Sequence, residues 1–215
     1  MTPNDQAMRI LIADDHAIVR RGLTEILLET WPSAEIEQVG DGESLLQQSL
    51  DGGWDIVISD LMMPGRSVLD ILQQIRQSHP QLPVLVLSIF PEEQYATRVF
   101  KAGAWGYINK DAAPTELVRA VQRILQGRKY ITAAVAEKLA SDLSVDKDKA
   151  PHELLSDREF HVMKLLAGGG TISDIAAQLS LSPTTISTYR SRIMEKMKLR
   201  SNADLARYAI ENGLI

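Results

Sequence analysis

The chain of 215 residues contains no cysteine. That excludes disulfides, thiolate metal sites and a cysteine nucleophile. It also lacks any apolar run near the roughly 18 residues that a membrane span requires. The opening stretch "MTPNDQAMRI" carries no secretory or lipidation signal, so a cytoplasmic protein with no membrane attachment is expected. An excess of positive charge is missing too. The net charge of −5 argues against a wholly basic nucleic-acid binder. Positive charge is instead local: Arg190, Arg192, Lys196, Lys198, Arg200 and Arg207 face only Glu195 and Asp204 over residues 182–208.

What is present falls into two patterns. Short apolar, β-rich runs ("RILIAD", "EIEQVG", "DIVISD", "PVLVLS", "GYIN") alternate with amphipathic stretches through residue 130. Five strands alternating with five helices predict an α/β domain whose mostly parallel sheet has helices on both faces. The near-continuous apolar character of the first, third and fourth runs fits a sheet covered on both sides. A further helical stretch, "TAAVAEKLASDL", leads into the charged "SVDKDKAPHE", which has a linker's composition. From Leu154 every periodic segment reads as helix. The expected organisation is a first domain over 1–130, a helix and linker over 131–153, and an all-α domain over 154–215.

The segment "DIVISDLMMPG" ends an apolar strand on an acid, Asp60. The first strand ends on Asp14 and Asp15, the fourth on Ser88 and the fifth on Lys110. In a parallel sheet these ends share one edge, outside which ligands bind. Three carboxylates in one crevice need compensation. Lys110 supplies one cation, and Mg²⁺, which takes carboxylate and phosphate oxygens, would supply another. Such a site suits phosphoryl transfer onto an Asp60 oxygen, with Ser88 and Lys110 holding the other phosphoryl oxygens.

These residues resemble the receiver domain of bacterial two-component response regulators, over residues 8–127. The resemblance implies a flavodoxin-like (βα)5 fold with strand order 2-1-3-4-5. It makes Asp60 the phosphoacceptor. It assigns Mg²⁺ to Asp14, Asp15, Asp60 and the backbone carbonyl of Met62. Ser88 and Tyr107 become the switch pair and Lys110 the phosphate-binding lysine. Two positions depart from the commonest pattern: Val68 stands where many relatives have glycine, and Asp111 where many have proline. A phosphatase of the haloacid-dehalogenase class is a rival. It needs a second acid two residues after the nucleophile, and that position is Met62.

In the C-terminal region "SDRE" at 156–159 is a capping box, and "TISD" at 171–174 repeats it less ideally. Ser182 is a good N-cap and Pro183 fits the first helical position. Helix, tight connection and helix over "DIAAQLSLSPTTISTYRSRI" predict a helix-turn-helix. On the second helix Ile186, Tyr189, Ile193 and Met197 share one face. Thr184, Thr188, Ser191 and Glu195 share the other, with Ser187 and Arg192 at its borders. Small hydroxyls flanked by Arg and Lys suit a major groove.

This region resembles the LuxR-type four-helix DNA-binding domain, and the whole chain resembles the NarL/FixJ response regulators. By that resemblance Ser187, Thr188 and Ser191 approach bases, beside Thr184 and Thr185. Several relatives carry lysine where Ser187 stands. Arg190, Arg192, Lys196, Lys198 and Arg200 are expected phosphate contacts, and His152 and His161 surface or packing residues. The implied partners are a sensor histidine kinase, double-stranded DNA and, on phosphorylation, a second copy of the chain. The implied role is a transcription regulator, not an enzyme. Phosphorylation is expected to alter the surface around the fourth helix and fifth strand, with residues 203–211 a contact of the DNA-binding domain. An output through protein or RNA contact is the second rival.

Overall fold

Apolar runs joined by amphipathic helices can bury both faces of a sheet only by crossing over it, and the first unit makes four such crossovers. The computed structural model describes residues 7–133, 135–137, 150–179 and 181–215. The chain divides into two units, Met1–Val145 and Asp146–Ile215. The helix expected over 132–143 is described only at 132, 133 and 135–137, of which 133 and 135–137 are helical; the rest of it lies outside the described residues, as does most of the expected linker.

The first unit runs β1 (Arg9–Ala13), α1 (Ala17–Thr30), β2 (Glu35–Val39), α2 (Gly42–Asp51), β3 (Ile56–Asp60) and α3 (Val68–Ser78). It continues with β4 (Val84–Ser88), α4 (Glu92–Ala102), β5 (Gly106–Asn109), a 3-10 turn (Lys110–Ala112) and α5 (Ala113–Leu125). The sheet order is β2-β1-β3-β4-β5, every pair parallel. The expected (βα)5 topology is therefore observed.

Strand alternation assigns the two faces. Ile10, Ile12, Ile56, Ile58, Leu85, Leu87 and Ile108 form one cluster with Leu23 and Leu27 of α1 and with Leu117, Val121 and Ile124 of α5. Leu11, Val57, Val86 and Tyr107 point the other way and are equally buried. All five residues of β3 and of β4 are buried. Each such Leu or Ile contributes roughly 1.5–3 kcal/mol by leaving water. The polar strand ends are thereby anchored in the least solvent-exposed part of the sheet.

The loop after β3 is fixed from both sides. The Gly42 N–H donates to the Pro64 carbonyl at 2.9 Å. Gly65 has φ +85°, a left-handed turn that glycine adopts freely, and a Cβ there would meet the Glu43 carboxylate. Val68 opens α3 and is 1% exposed. The valine that stands in a common glycine position is thus a core residue.

The second unit is a 3-10 turn (Pro151–Leu154) followed by α6 (Asp157–Ala167), α7 (Ile172–Gln178), α8 (Pro183–Met197) and α9 (Asn202–Glu211). Both capping boxes form. The Thr171 box is as complete as the Ser156 box, because Asp174 reaches back to both the Thr171 N–H and its hydroxyl. Phe160, Val162, Met163, Leu166, Ile175, Ile186, Ile193, Met197 and Leu205 make the core. Leu179 and Leu181, in the connection between α7 and α8, are only half-buried. Ser182 caps α8 by accepting from the Thr185 N–H at 3.1 Å. Lys198 closes α8 in the left-handed conformation, φ 53°.

Candidate functional site: an acidic crevice and a polar helix face

Hydrogen bonding between β1 and β3 sets Ala13 beside Ser59, so the acids that follow are neighbours. Asp14 and Asp60 are 1% and 6% exposed. Lys110, delivered by the end of β5, reaches both: its Nζ lies 2.6 Å from Asp14 Oδ2 and 3.1 Å from Asp60 Oδ2. Burial pushes the Asp60 carboxyl up to about 6; Lys110 pulls it down, and the like charge of Asp14 raises it again. A backbone hydrogen bond from Met62 also favours its ionised form. Burial disfavours the Lys110 charge, but Asp60 and Asp14 outweigh it and hold its pKa above the ordinary lysine value.

Asp15 joins from the exposed side, with its Oδ1 2.8 Å from His16 Nδ1. His16 also donates its backbone N–H to Asp14 Oδ1 at 2.8 Å. One potential ligand atom from each of Asp14, Asp15, His16 and Asp60 lies within 4.8 Å of the others. His16 was not among the residues expected at the site. Its position directly after the paired acids was the signal for it. The carboxylate set fits a hard divalent cation such as Mg²⁺.

Ser88 ends β4 beside this cluster and is 1% exposed. Its Oγ accepts the Phe90 N–H at 3.2 Å. The Tyr107 ring is buried, and its hydroxyl donates to the Phe90 carbonyl at 2.9 Å. The Asn109 side chain donates to the same carbonyl at 3.3 Å. Ser88 and Tyr107 therefore meet through one residue, Phe90, in the β4–α4 connection.

The second candidate surface is α8. Thr184, Ser187, Thr188, Ser191, Arg192 and Glu195 are exposed, while Thr185 is half-buried behind the Ser182 cap. The Thr188 and Ser191 hydroxyls donate to the carbonyls of Thr184 and Ser187 at 3.0 and 3.1 Å. Lys198 and Arg200 are exposed beyond the helix end. Two of the expected phosphate contacts have internal partners. Lys196 lies 2.6 Å from the buried Glu159 carboxylate, and Arg190 Nε donates to Asn202 Oδ1 at 2.8 Å. Glu159 thus both completes the α6 capping box and pairs with α8. From sequence it read only as a cap.

Comparison with known proteins agrees with this two-part layout. Residues 10–122 match the response regulator receiver domain, and residues 153–209 match the luxR family of bacterial regulatory proteins. The chain is 33% identical to the response regulator GacA of Pseudomonas viridiflava, over 97% of this chain and 98% of that one. It is 31% identical to the response regulator UvrY of Escherichia coli K12, over 96% and 95%. Among solved structures it resembles RcsB from Salmonella enterica serovar Typhimurium bound to a promoter with a beryllofluoride phosphomimetic. That match has 27% identity, TM-score 0.57, and covers 94% of this chain and 98% of that one. A second RcsB–DNA complex matches with TM-score 0.56 at the same identity and coverage. The paired acids under one lysine, the helix-turn-helix and these full-length likenesses place the chain in the two-component response regulators of the NarL/FixJ type, which join a receiver domain to a LuxR-family domain.

Proposed function

We propose that the chain is a DNA-binding transcription regulator switched by phosphorylation of Asp60, the phosphoryl group coming from a sensor histidine kinase. The observation that carries this reading is the shared ammonium. Asp14 and Asp60, both buried, converge on Lys110 at 2.6 and 3.1 Å. A buried acid pair held by one lysine is poised to exchange part of its charge for a phosphoryl group. With a pKa of about 6, Asp60 is mostly ionised at neutral pH and available as nucleophile. One carboxylate oxygen bonds phosphorus as the donor's nitrogen–phosphorus bond breaks, and the imidazole nitrogen keeps the electron pair. Lys110 remains beside the new phosphoryl oxygens, and the Ser88 hydroxyl turns to donate to one of them.

The carboxylates of Asp14, Asp15 and Asp60 and the Met62 carbonyl would hold Mg²⁺, which supplies charge neutralisation at the phosphoryl oxygens when bound. The domain limits are 1–130 and 154–215, with 131–153 between; the receiver match, 10–122, lies within the first, and the luxR-family match, 153–209, begins one residue before the second. The chain acts in the cytoplasm; among the described residues no helix is long and apolar enough to cross a membrane.

For the output, α8 enters the major groove of duplex DNA. Thr184, Thr185, Ser187, Thr188 and Ser191 face bases, and Arg192, Lys198 and Arg200 face phosphates. Arg190 and Lys196 contribute through their internal partners as well as their charge. Phosphorylation favours a homodimer on two half-sites. Asp60→Asn tests the reading: incubation with acetyl phosphate and Mg²⁺ should add one phosphoryl mass to the wild type and none to the variant. Equal uptake by the variant would refute it.

A further inference from the structure

We propose that His16 is a metal ligand that sets the ion preference of the acidic crevice, so that the crevice takes a first-row transition dication such as Mn²⁺ ahead of Mg²⁺. The inference rests on Asp14, Asp15 and Asp60 holding a divalent cation.

His16 is the N-cap residue of α1, with φ −92° and ψ 106°. A side chain at that position ordinarily accepts from an N–H of the first turn. The imidazole makes no such bond. Only the His16 carbonyl serves the helix, accepting from the Val19 and Arg20 N–H groups at 3.0 and 3.2 Å. The His16 N–H donates backwards to Asp14 Oδ1 at 2.8 Å, a tight turn closed by the aspartate side chain. The ring is thereby turned to the acids and not to the helix.

Its Nδ1 lies 2.8 Å from Asp15 Oδ1 and 3.2 Å from Asp14 Oδ1. Ligand atoms bound to one dication at about 2.1 Å, at right angles to one another, stand about 3.0 Å apart. Both separations bracket that value. One atom from each of Asp14, Asp15, His16 and Asp60 lies within 4.8 Å of the others, so the four groups converge. The Asp14 oxygens are divided between two neighbours, with Oδ2 2.6 Å from Lys110 Nζ and Oδ1 on the His16 side. Lys110 serves Asp14 and Asp60, while His16 serves Asp14 and Asp15.

Nδ1 can meet these oxygens in two ways. With its proton there it donates to them; with the proton on Nε2 it offers a lone pair to an ion that the carboxylates share. Asp14 Oδ1 already accepts the His16 backbone N–H, so it does not depend on the ring for a donor. With 65% of the side chain exposed, water is at hand to accept from an Nε2 proton. The lone-pair arrangement changes which ion is held best. Mg²⁺ is hard and takes oxygen, whereas imidazole suits first-row transition ions. The concentration of such an ion at which the crevice fills is then lower than that of Mg²⁺.

The test is pulsed electron paramagnetic resonance of the full chain with one equivalent of Mn²⁺, followed by displacement with Mg²⁺. The wild type should show a directly bound nitrogen. His16→Asn should not; asparagine is a good N-cap, so this variant keeps the start of α1 while offering oxygen in place of nitrogen. His16→Ala should also lose the nitrogen signal. In both variants the Mg²⁺ needed to displace half the Mn²⁺ should fall about tenfold. Mn²⁺ that binds the wild type and is lost in Asp15→Asn, yet shows no nitrogen, would overturn the ligand role of His16 alone. Equal displacement of Mn²⁺ from wild type and His16→Asn would do the same. Mn²⁺ binding undiminished in both Asp15→Asn and Asp60→Asn would overturn the crevice as the metal site and the inference with it.

Discussion

The two units use charge in opposite ways. In the first, the proposed phosphoacceptor site is buried charge: two carboxylates beneath the end of a sheet, compensated by one lysine that is itself only 15% exposed. In the second, the charge with the strongest internal bond is structural. Lys196 completes a pair with the buried Glu159, and the proposed reading surface consists of short hydroxyls and solvent-facing Arg192, Lys198 and Arg200. Desolvation explains the difference. A reacting carboxylate gains from an environment that leaves its charge poorly solvated until a phosphoryl group arrives. A surface that meets the phosphates of DNA gains from charges that water and counterions hold loosely, because releasing those ions drives binding.

Substitutions on either side sharpen this contrast. Lys110→Ala should have the largest effect, slowing phosphoryl uptake on the order of 100-fold as followed by intact mass, since it removes the cation nearest the transferred group. Acid should weaken the second unit next. Burial, helped by Arg158 and Lys164, lowers the His161 pKa to about 4 from 6.5. The unfolded chain therefore binds a proton below pH 6.5 that the folded chain refuses until about pH 4. Stability present above 6.5 should fall by as much as ~3 kcal/mol across that window. Denaturant titrations of the wild type and His161→Gln, compared between pH 7 and 4, would read it as a loss in acid that the wild type shows and the variant, which lacks the titrating ring, does not.

Lys196→Ala should cost about 2 kcal/mol of stability, reduced from the usual value for a broken buried pair because the ammonium is 41% exposed. Arg192→Ala should leave the melting temperature nearly unchanged and weaken DNA binding several-fold for all sequences alike, with a shallower salt dependence. If Lys196→Ala instead weakened binding without altering stability, the distinction between structural and reading charges in α8 would collapse.

The first site was legible because strand ends in a parallel sheet are forced to one edge. Once "ILIADD", "DIVISD", "PVLVLS" and "GYINK" read as strands, Asp14, Asp60, Ser88 and Lys110 had to be neighbours. The order of the strands, 2-1-3-4-5, came from the resemblance to receiver domains and not from these patterns. His16 escaped because a lone histidine on a helix start carries no periodic signal. The helix face was legible only as a pattern. Which of its cations are free depends on contacts between α8 and elements far away in sequence, 37 residues for Lys196 with Glu159 and 12 for Arg190 with Asn202. No local spacing announces these. Val68 shows the same limit: a missing glycine looks like a loop anomaly in sequence, while in three dimensions it begins a helix and fills the core.

Return of the chain along β5 has a bearing on solubility. A strand at the margin of a sheet offers unpaired amides and carbonyls to any neighbour. At the β2 margin, Glu35 and Glu37 are exposed, and their like charges discourage an incoming strand. At the β5 margin the guard is the backbone of Tyr130. Freeing that segment would uncover the Gly106 end, so a variant that lost the Tyr130 pairing would be more prone to self-association through that margin than the wild type.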